Sequence, residues 1–229
     1  MPKIAYSGEE REQIREALIA VGLELFVKQG VQHTTVQQIY TRVGISRTFF
    51  YTFFPAKEDL VVQAFYRQRP HIVAHARELM EDPALSWRDG VRQFLYDFCH
   101  TEGNRFAILT VEEQQELFRH LSPDKHRALQ ETQFTFFASI LEIFGIPAEA
   151  HTAKFLCNLL LSVVIVRKAI PNTLPFLFPE AADEMAAFQL NALLDHMEAL
   201  RRGQDGAPLS EKPPCAPARV SASFNPTKT

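Results

Sequence analysis

Between Thr34 and Leu60 three helix starts, a helix stop and a helix breaker lie so close together that the backbone has few alternatives. Thr35 precedes Val36-Gln37-Gln38. Its hydroxyl is placed to accept the Gln38 N–H while the Gln38 side chain returns to the Thr35 N–H, a reciprocal capping box. Val36, Ile39, Tyr40 and Val43 recur at i, i+3, i+4 and i+7, one apolar stripe at helical period. Gly44 follows where a left-handed residue ends a helix at least cost. Ser46 caps a second helix, and Ile45 before it can pack on Phe50 at the fourth helical position, which fixes the approach angle of the chain. Pro55 is expected to stop that helix. Ala56-Lys57-Glu58-Asp59 opens a third, with acids suited to its first turn. Each cap contributes about 1 kcal/mol, so a helix, a tight turn and a second helix are specified locally.

The second helix divides its side chains by face. Phe50 and Phe54 point inward with Ile45; Arg47, Thr48, Tyr51 and Thr52 are left outside, with Phe49 and Phe53 at the margins. A helix-turn-helix with donors and aromatics on its outer face fits a DNA major groove. The alternative is a helical binding protein whose N-terminal hairpin contacts protein. Charge placement favours DNA. The chain carries a net charge of −3, yet no acidic residue lies between Glu24 and Glu58, where Lys28, Arg42, Arg47 and Lys57 fall. The acids gather on the first helix at Glu9, Glu10, Glu12 and Glu16. A locally positive surface on a mildly acidic chain suits short, releasable sites. Lys57, at a helix start with unpaired N–H groups, is well placed to meet a phosphate.

The run from Gly44 to Leu60, Gly-Ile-Ser-Arg-Thr-Phe-Phe-Tyr-Thr-Phe-Phe-Pro-Ala-Lys-Glu-Asp-Leu, resembles the signature of the tetracycline-repressor (TetR) family. Gly30, Thr34-Thr35-Val36 and Ile39 resemble the family's approach to its second helix, and Ile14, Leu18, Val21, Leu25 and Phe26 its amphipathic first helix. The likeness covers about residues 8 to 65. It implies a cytoplasmic, homodimeric transcriptional repressor that binds a palindromic double-stranded operator and is released by a small-molecule effector. By the same resemblance, base reading falls on Gln37, Arg47, Thr48 and Phe49. Phosphate contacts fall on Thr35, Tyr51, Thr52 and Lys57, with Ser46 beside them. Thr48 and Phe49 replace a frequent Gly and Thr of the family. A phenyl ring can pack on a thymine methyl, and Arg47 would look for guanine; partial burial of Phe49 against the first helix is the other reading.

From residue 58 to about 202 the pattern is helical without strand alternation. Segments near 57–81, 86–102, 111–120, 122–144, 148–170 and 180–202 suit helices, with Pro70 expected to kink the first. Ser122-Pro123 is a helix start. The expected fold class is all-α: an N-terminal three-helix domain with the helix-turn-helix over 1–56, a larger helical ligand-binding and dimerisation domain over 57–203, and a Pro-rich tail over 204–229. The tail holds too few apolar residues to offset its ordering entropy.

Phe155 to Val166 is almost continuously apolar and, at about 12 residues, too short to span a bilayer; no membrane association is expected. A helix apolar on nearly every side must be covered on nearly every side. The two last helices, near 148–170 and 180–202, are therefore the expected homodimer surface, as they are in the resembled family. Phenylalanines fill the middle helices, and a chamber with a few polar anchors would hold an apolar or aromatic effector. Phe94, Phe98, Cys99, His120, Phe134 and Phe137 are the candidate lining, although most such phenylalanines are core. His71 and His75 sit four apart without a third ligand nearby, so no metal is expected. Cys99, Cys157 and Cys215 form no C-x-x-C and read as reduced thiols. No phosphate-cradling glycine loop or nucleophile elbow occurs, so neither cofactor nor catalytic residue is expected, and the chain does not read as an enzyme.

Overall fold

The computed structural model describes residues 6–99, 106–170 and 174–203. The Pro-rich tail, Cys215 included, the end of the expected helix at 100–102 and the start of the connection at 171–173 lie outside these residues. Among the described residues there are nine α-helices and no strand. They are α1 (Gly8–Gln29), α2 (Val36–Val43), α3 (Arg47–Phe50), α4 (Lys57–Glu81), α5 (Trp87–Cys99), α6 (Val111–His120), α7 (Pro123–Ile143), α8 (Ala150–Ala169) and α9 (Ala182–Arg201), with a 3-10 turn at Pro179–Ala181.

Two apolar cores organise the chain. The first gathers Leu18, Ile19, Leu25 and Phe26 of α1 around Ile39, Phe50, Phe54, Leu60, Val61 and Ala64. The second gathers Ile72, Phe94, Ile140, Phe144, Leu156, Leu160, Leu190 and Leu194 from α4, α5, α7, α8 and α9. Helix α4 belongs to both, since its N-terminal half packs on α1 and its C-terminal half on α5 and α7. It runs through Pro70 as one helical segment. Gly90 lets α5 approach α4 closely, because a Cβ there would lie 2.9 Å from the Leu79 carbonyl oxygen.

Polar ties close the body. Trp87 Nε1–H donates to the Phe144 carbonyl at 2.8 Å. Arg88 pairs with Asp195 and Glu198 of α9. His75, buried on α4, meets Asp97 of α5 at 2.5 Å from Nε2, while His71 is exposed. Among the described residues no group of three His, Cys, Asp or Glu could hold a metal ion. Helix α8 is longer than its apolar run. Within its 20 residues an 18-residue window has mean hydropathy 1.4, enough by length and composition alone to cross a membrane. Here it packs against α5, α7 and α9, with 28% of that window buried.

Candidate DNA interface and effector cavity

The capping pattern folds as the side chains dictate. Thr35 Oγ1 accepts the Gln38 N–H at 3.2 Å and Gln38 Oε1 accepts the Thr35 N–H at 2.8 Å. Gly44 closes α2 in the left-handed region at φ 80°, ψ 27°, and the Ile45 N–H reaches back to the Tyr40 carbonyl at 3.0 Å, the six-to-one bond that ends such a helix. Ser46 Oγ accepts the Phe49 N–H at 3.2 Å. Phe50 and Phe54 are buried, with Ile45 packed against the same core.

The second helix is shorter than Pro55 suggested. α3 ends at Phe50, and the chain tightens through a Thr52 N–H bond to the Phe49 carbonyl and a Phe53 N–H bond to the Phe50 carbonyl. Thr52 Oγ1 also donates to the Phe49 carbonyl at 2.7 Å, so this hydroxyl caps its own turn. The exposed face carries Thr35, Gln37, Ser46, Arg47, Thr48, Tyr51 and Thr52. The Arg47 guanidinium lies 5.9 Å from the Tyr51 ring centroid, so these two share one patch.

Two residues of the expected interface, Phe49 and Lys57, and one cation of the locally positive stretch, Arg42, are engaged within the protein. Phe49 is half-buried: Tyr6 stacks on it at 4.8 Å and 18°, Phe53 meets its edge at 5.0 Å, and the Arg11 guanidinium lies 5.6 Å from its centroid. That is packing against α1 and the segment before it. Lys57 Nζ donates to the Val31 carbonyl at 2.5 Å, and burial lowers its pKa against the opposing pull of Glu58 and Glu113. Arg42 pairs with Glu24 of α1 at 2.7 Å. The local positive charge is thus partly spent inside the protein.

A cavity of about 660 Å³ opens between α4, α5, α6, α7 and α8. Phe94, Phe98, Phe134 and Phe137 line it. Cys99 and His120 do not. The Cys99 side chain turns into the second core, and His120 stands exposed at the end of α6 beside Glu116 at 3.0 Å. Cys157 lines the cavity instead, with Asn158, Gln133 and Arg69 among its polar groups. Burial raises the pKa of both Cys99 and Cys157 to about 11, so neither thiol is a reactive thiolate near neutral pH. Gln68 and Arg69 are polar residues the sequence pattern did not single out. The Gln68 amide clasps Ala107, accepting its N–H at 2.9 Å and donating to its carbonyl at 3.0 Å.

The cavity and the first core share a wall. Phe65, Ala107 and Leu109 line the cavity and also pack with Phe26, Leu60 and Val61 in the first core.

Comparison with known proteins matches the same stretch of the chain. The description "Bacterial regulatory proteins, tetR family" matches residues 18–64, the stretch that carries the helix-turn-helix. The chain carries a TetR-type DNA-binding region over these residues. It is 26% identical over 156 residues to the HTH-type transcriptional regulator YuxN of Bacillus subtilis (strain 168), covering 66% of this chain and 52% of that one. It is 39% identical over 65 residues to the HTH-type transcriptional regulator SrpR of Pseudomonas putida, covering 28% of this chain and 30% of SrpR. The matched stretch thus spans about half of one relative and less than a third of the other. The fold is that of the reduced form of E. coli NemR (TM-score 0.51, 20% identity, 82% of this chain and 96% of that one). It is also that of a TetR-family regulator from Pectobacterium atrosepticum (TM-score 0.53, 16% identity, 89% and 100%). The region matched to the family is the one that carries the helix-turn-helix of DNA-binding transcriptional regulators.

Proposed function

We propose that this cytoplasmic TetR-family protein is a homodimeric repressor, holding a palindromic operator until a small apolar or aromatic effector fills the cavity. The observation that carries the reading is the shared wall: Phe65, Ala107 and Leu109 touch both the cavity and the core beneath the helix-turn-helix. A ligand that displaces this wall reorients the α1–α3 unit, and two such units then no longer fit adjacent grooves. To turn operator occupancy from 99:1 to 1:99, the effector must prefer the released form by about 5.5 kcal/mol.

Bases are read by Gln37, Arg47 and Thr48, whose side chains are exposed on one face; phosphates are met by Thr35, Tyr51 and Thr52 and by the N-terminal N–H groups of α4 near Lys57. Phe49 supports this face through its stack on Tyr6. Dimerisation uses α8 and α9. Phe155 and Leu159 on α8 are each 37% exposed and Phe188 on α9 is 75% exposed, an apolar surface the single chain leaves uncovered. On this reading the DNA-binding domain runs to 56 and the effector-binding and dimerisation domain over 57–203, with α4 packing in the cores of both.

Fluorescence anisotropy with fragments from the chain's own upstream region tests the reading. Arg47→Ala should relax preference at one base pair and cost about 1–3 kcal/mol, whereas Tyr51→Ala should weaken all sequences alike. Intact affinity in both variants would overturn the site assignment, and indifference of the wild-type protein to every fragment would overturn the function.

A further inference from the structure

The wall of the cavity contains a cation without an anion. Arg69 lies midway along α4, half-buried among the lining residues. Its guanidinium donates to the Thr132 carbonyl at 3.2 Å and to Gln133 Oε1 at 3.2 Å, both neutral acceptors. The Tyr66 and Phe136 rings lie 4.7 Å and 5.2 Å from it. Among the described residues no carboxylate pairs with it. A guanidinium offers five N–H groups in a planar fork matched to a carboxylate, and two of these bonds are filled here. Burial lowers its pKa, in keeping with a charge that has lost water and gained no counter-ion.

The rest of the lining points the same way. Of its charged residues, Arg69, Arg127 and Lys154 are basic and Glu131 alone is acidic. Arg127 faces solvent beside Asp124 at 3.9 Å and is set aside. Lys154 leans its ammonium over the Phe134 ring at 5.6 Å, so a second cation stands close to the aromatic surface of the chamber. Phe94, Phe98 and Ile140 supply apolar wall for a ligand body. An apolar chamber of this size, with a half-buried guanidinium in its wall that no described carboxylate pairs, suits an amphipathic acid.

We infer that the effector of this regulator is an organic carboxylate with an aromatic or alkyl body, its carboxylate bound by the Arg69 fork and its body laid against the phenylalanines. The inference rests on the effector-cavity reading above and adds the head group to it. Unpaired, the Arg69 charge disfavours burial; the ligand's carboxylate completes it, so the acid and not its neutral analogue is selected.

Isothermal titration calorimetry on the full-length protein with 1-naphthaleneacetate and with 1-naphthaleneacetamide tests this, because the two share a body and differ in charge. The acid should bind at least about tenfold more tightly than the amide. Arg69→Met keeps an apolar stem and should shrink that ratio to less than about threefold while leaving the amide affinity in place. Arg69→Lys should give an intermediate ratio, because it keeps the charge and loses the fork. Should either variant fail to fold, as shown by its thermal melt, the wild-type ratio alone decides. Equal binding of acid and amide, or an acid preference that survives Arg69→Met, overturns the inference and leaves the effector cavity standing. Binding of neither overturns the cavity reading and this inference with it.

Discussion

Glu113 Oε1 accepts the backbone N–H of Gln32 at 2.8 Å, joining residues 81 positions apart. Its other oxygen accepts the N–H of Thr110 at 2.9 Å, where it completes the capping box that starts α6. One carboxylate therefore both starts the helix beside the cavity and ties it to the turn ahead of α2. It is 6% exposed.

Glu113→Gln offers one acceptor where two N–H groups need one each. The variant should lose about 1–3 kcal/mol of stability, since one buried N–H is left facing an amide donor. Urea unfolding monitored by circular dichroism gives the loss. The same substitution should weaken operator binding without altering preference at any base pair, because it loosens the seat of α1–α3 and touches no base.

Phe49 tests whether the ring reads a base or supports the helix that does. Stacked on Tyr6 and edged by Phe53, it should act as support. Phe49→Ala should cost about 1–2 kcal/mol of stability through lost aromatic packing, and Tyr6→Ala should reproduce part of that loss. Operator affinity should fall evenly across a library of single-base variants. A change confined to one position would make Phe49 a base reader.

The two buried thiols give a pH dependence with a definite sign. Their folded pKa of about 11 lies above the ordinary value of 9.0. Between these values the native state binds more protons than the unfolded state. Their contribution is therefore complete below about pH 9 and lost as the pH rises through 11. The loss should be on the order of 1–3 kcal/mol for each thiol. Denaturant midpoints between pH 8 and 11 should fall less steeply in Cys99→Ala and Cys157→Ala. Cys99 and Cys157, followed by peptide mass, should react with iodoacetamide far more slowly at pH 7.5 in native than in urea-unfolded protein.

Phe188 on α9 is 75% exposed, and Phe155 and Leu159 on α8 are each 37% exposed. Phe188→Glu should convert the proposed dimer to monomer in sedimentation equilibrium, because a carboxylate in an apolar interface costs several kcal/mol in desolvation. Operator affinity should collapse in parallel, while the thermal melt of the isolated chain should change little.

What the sequence disclosed was local. Thr35, Gln38, Gly44, Ser46 and Ser122 announce their roles because each acts on backbone groups within a few residues. Those caps form as expected, Ser122 Oγ accepting the Lys125 N–H at 3.3 Å. The all-α fold followed from the same periodicity. The cavity was legible only in its apolar part, since a helical stripe shows which face is covered but not by what. Cys99 and His120 were drawn toward it by their phenylalanine neighbours in sequence, yet the turn of α5 and the end of α6 carry them elsewhere. Arg69 reads as one more solvated cation until α7 is laid beside it, where Thr132 and Gln133 meet it from 63 and 64 positions away. Tyr6 on Phe49 was equally hidden, because nothing in a helix-turn-helix pattern says what precedes the first helix.

Helix α4 starts at Lys57 against the Val31 carbonyl and carries Arg69 about 18 Å further along its axis. The two positions ride a single beam. On the proposed reading, a substitution that re-tilts the beam to admit a new acid also re-aims the duplex-facing end. Ligand range and grip on the operator are then one inherited trait, and variants selected for either should be found altered in both.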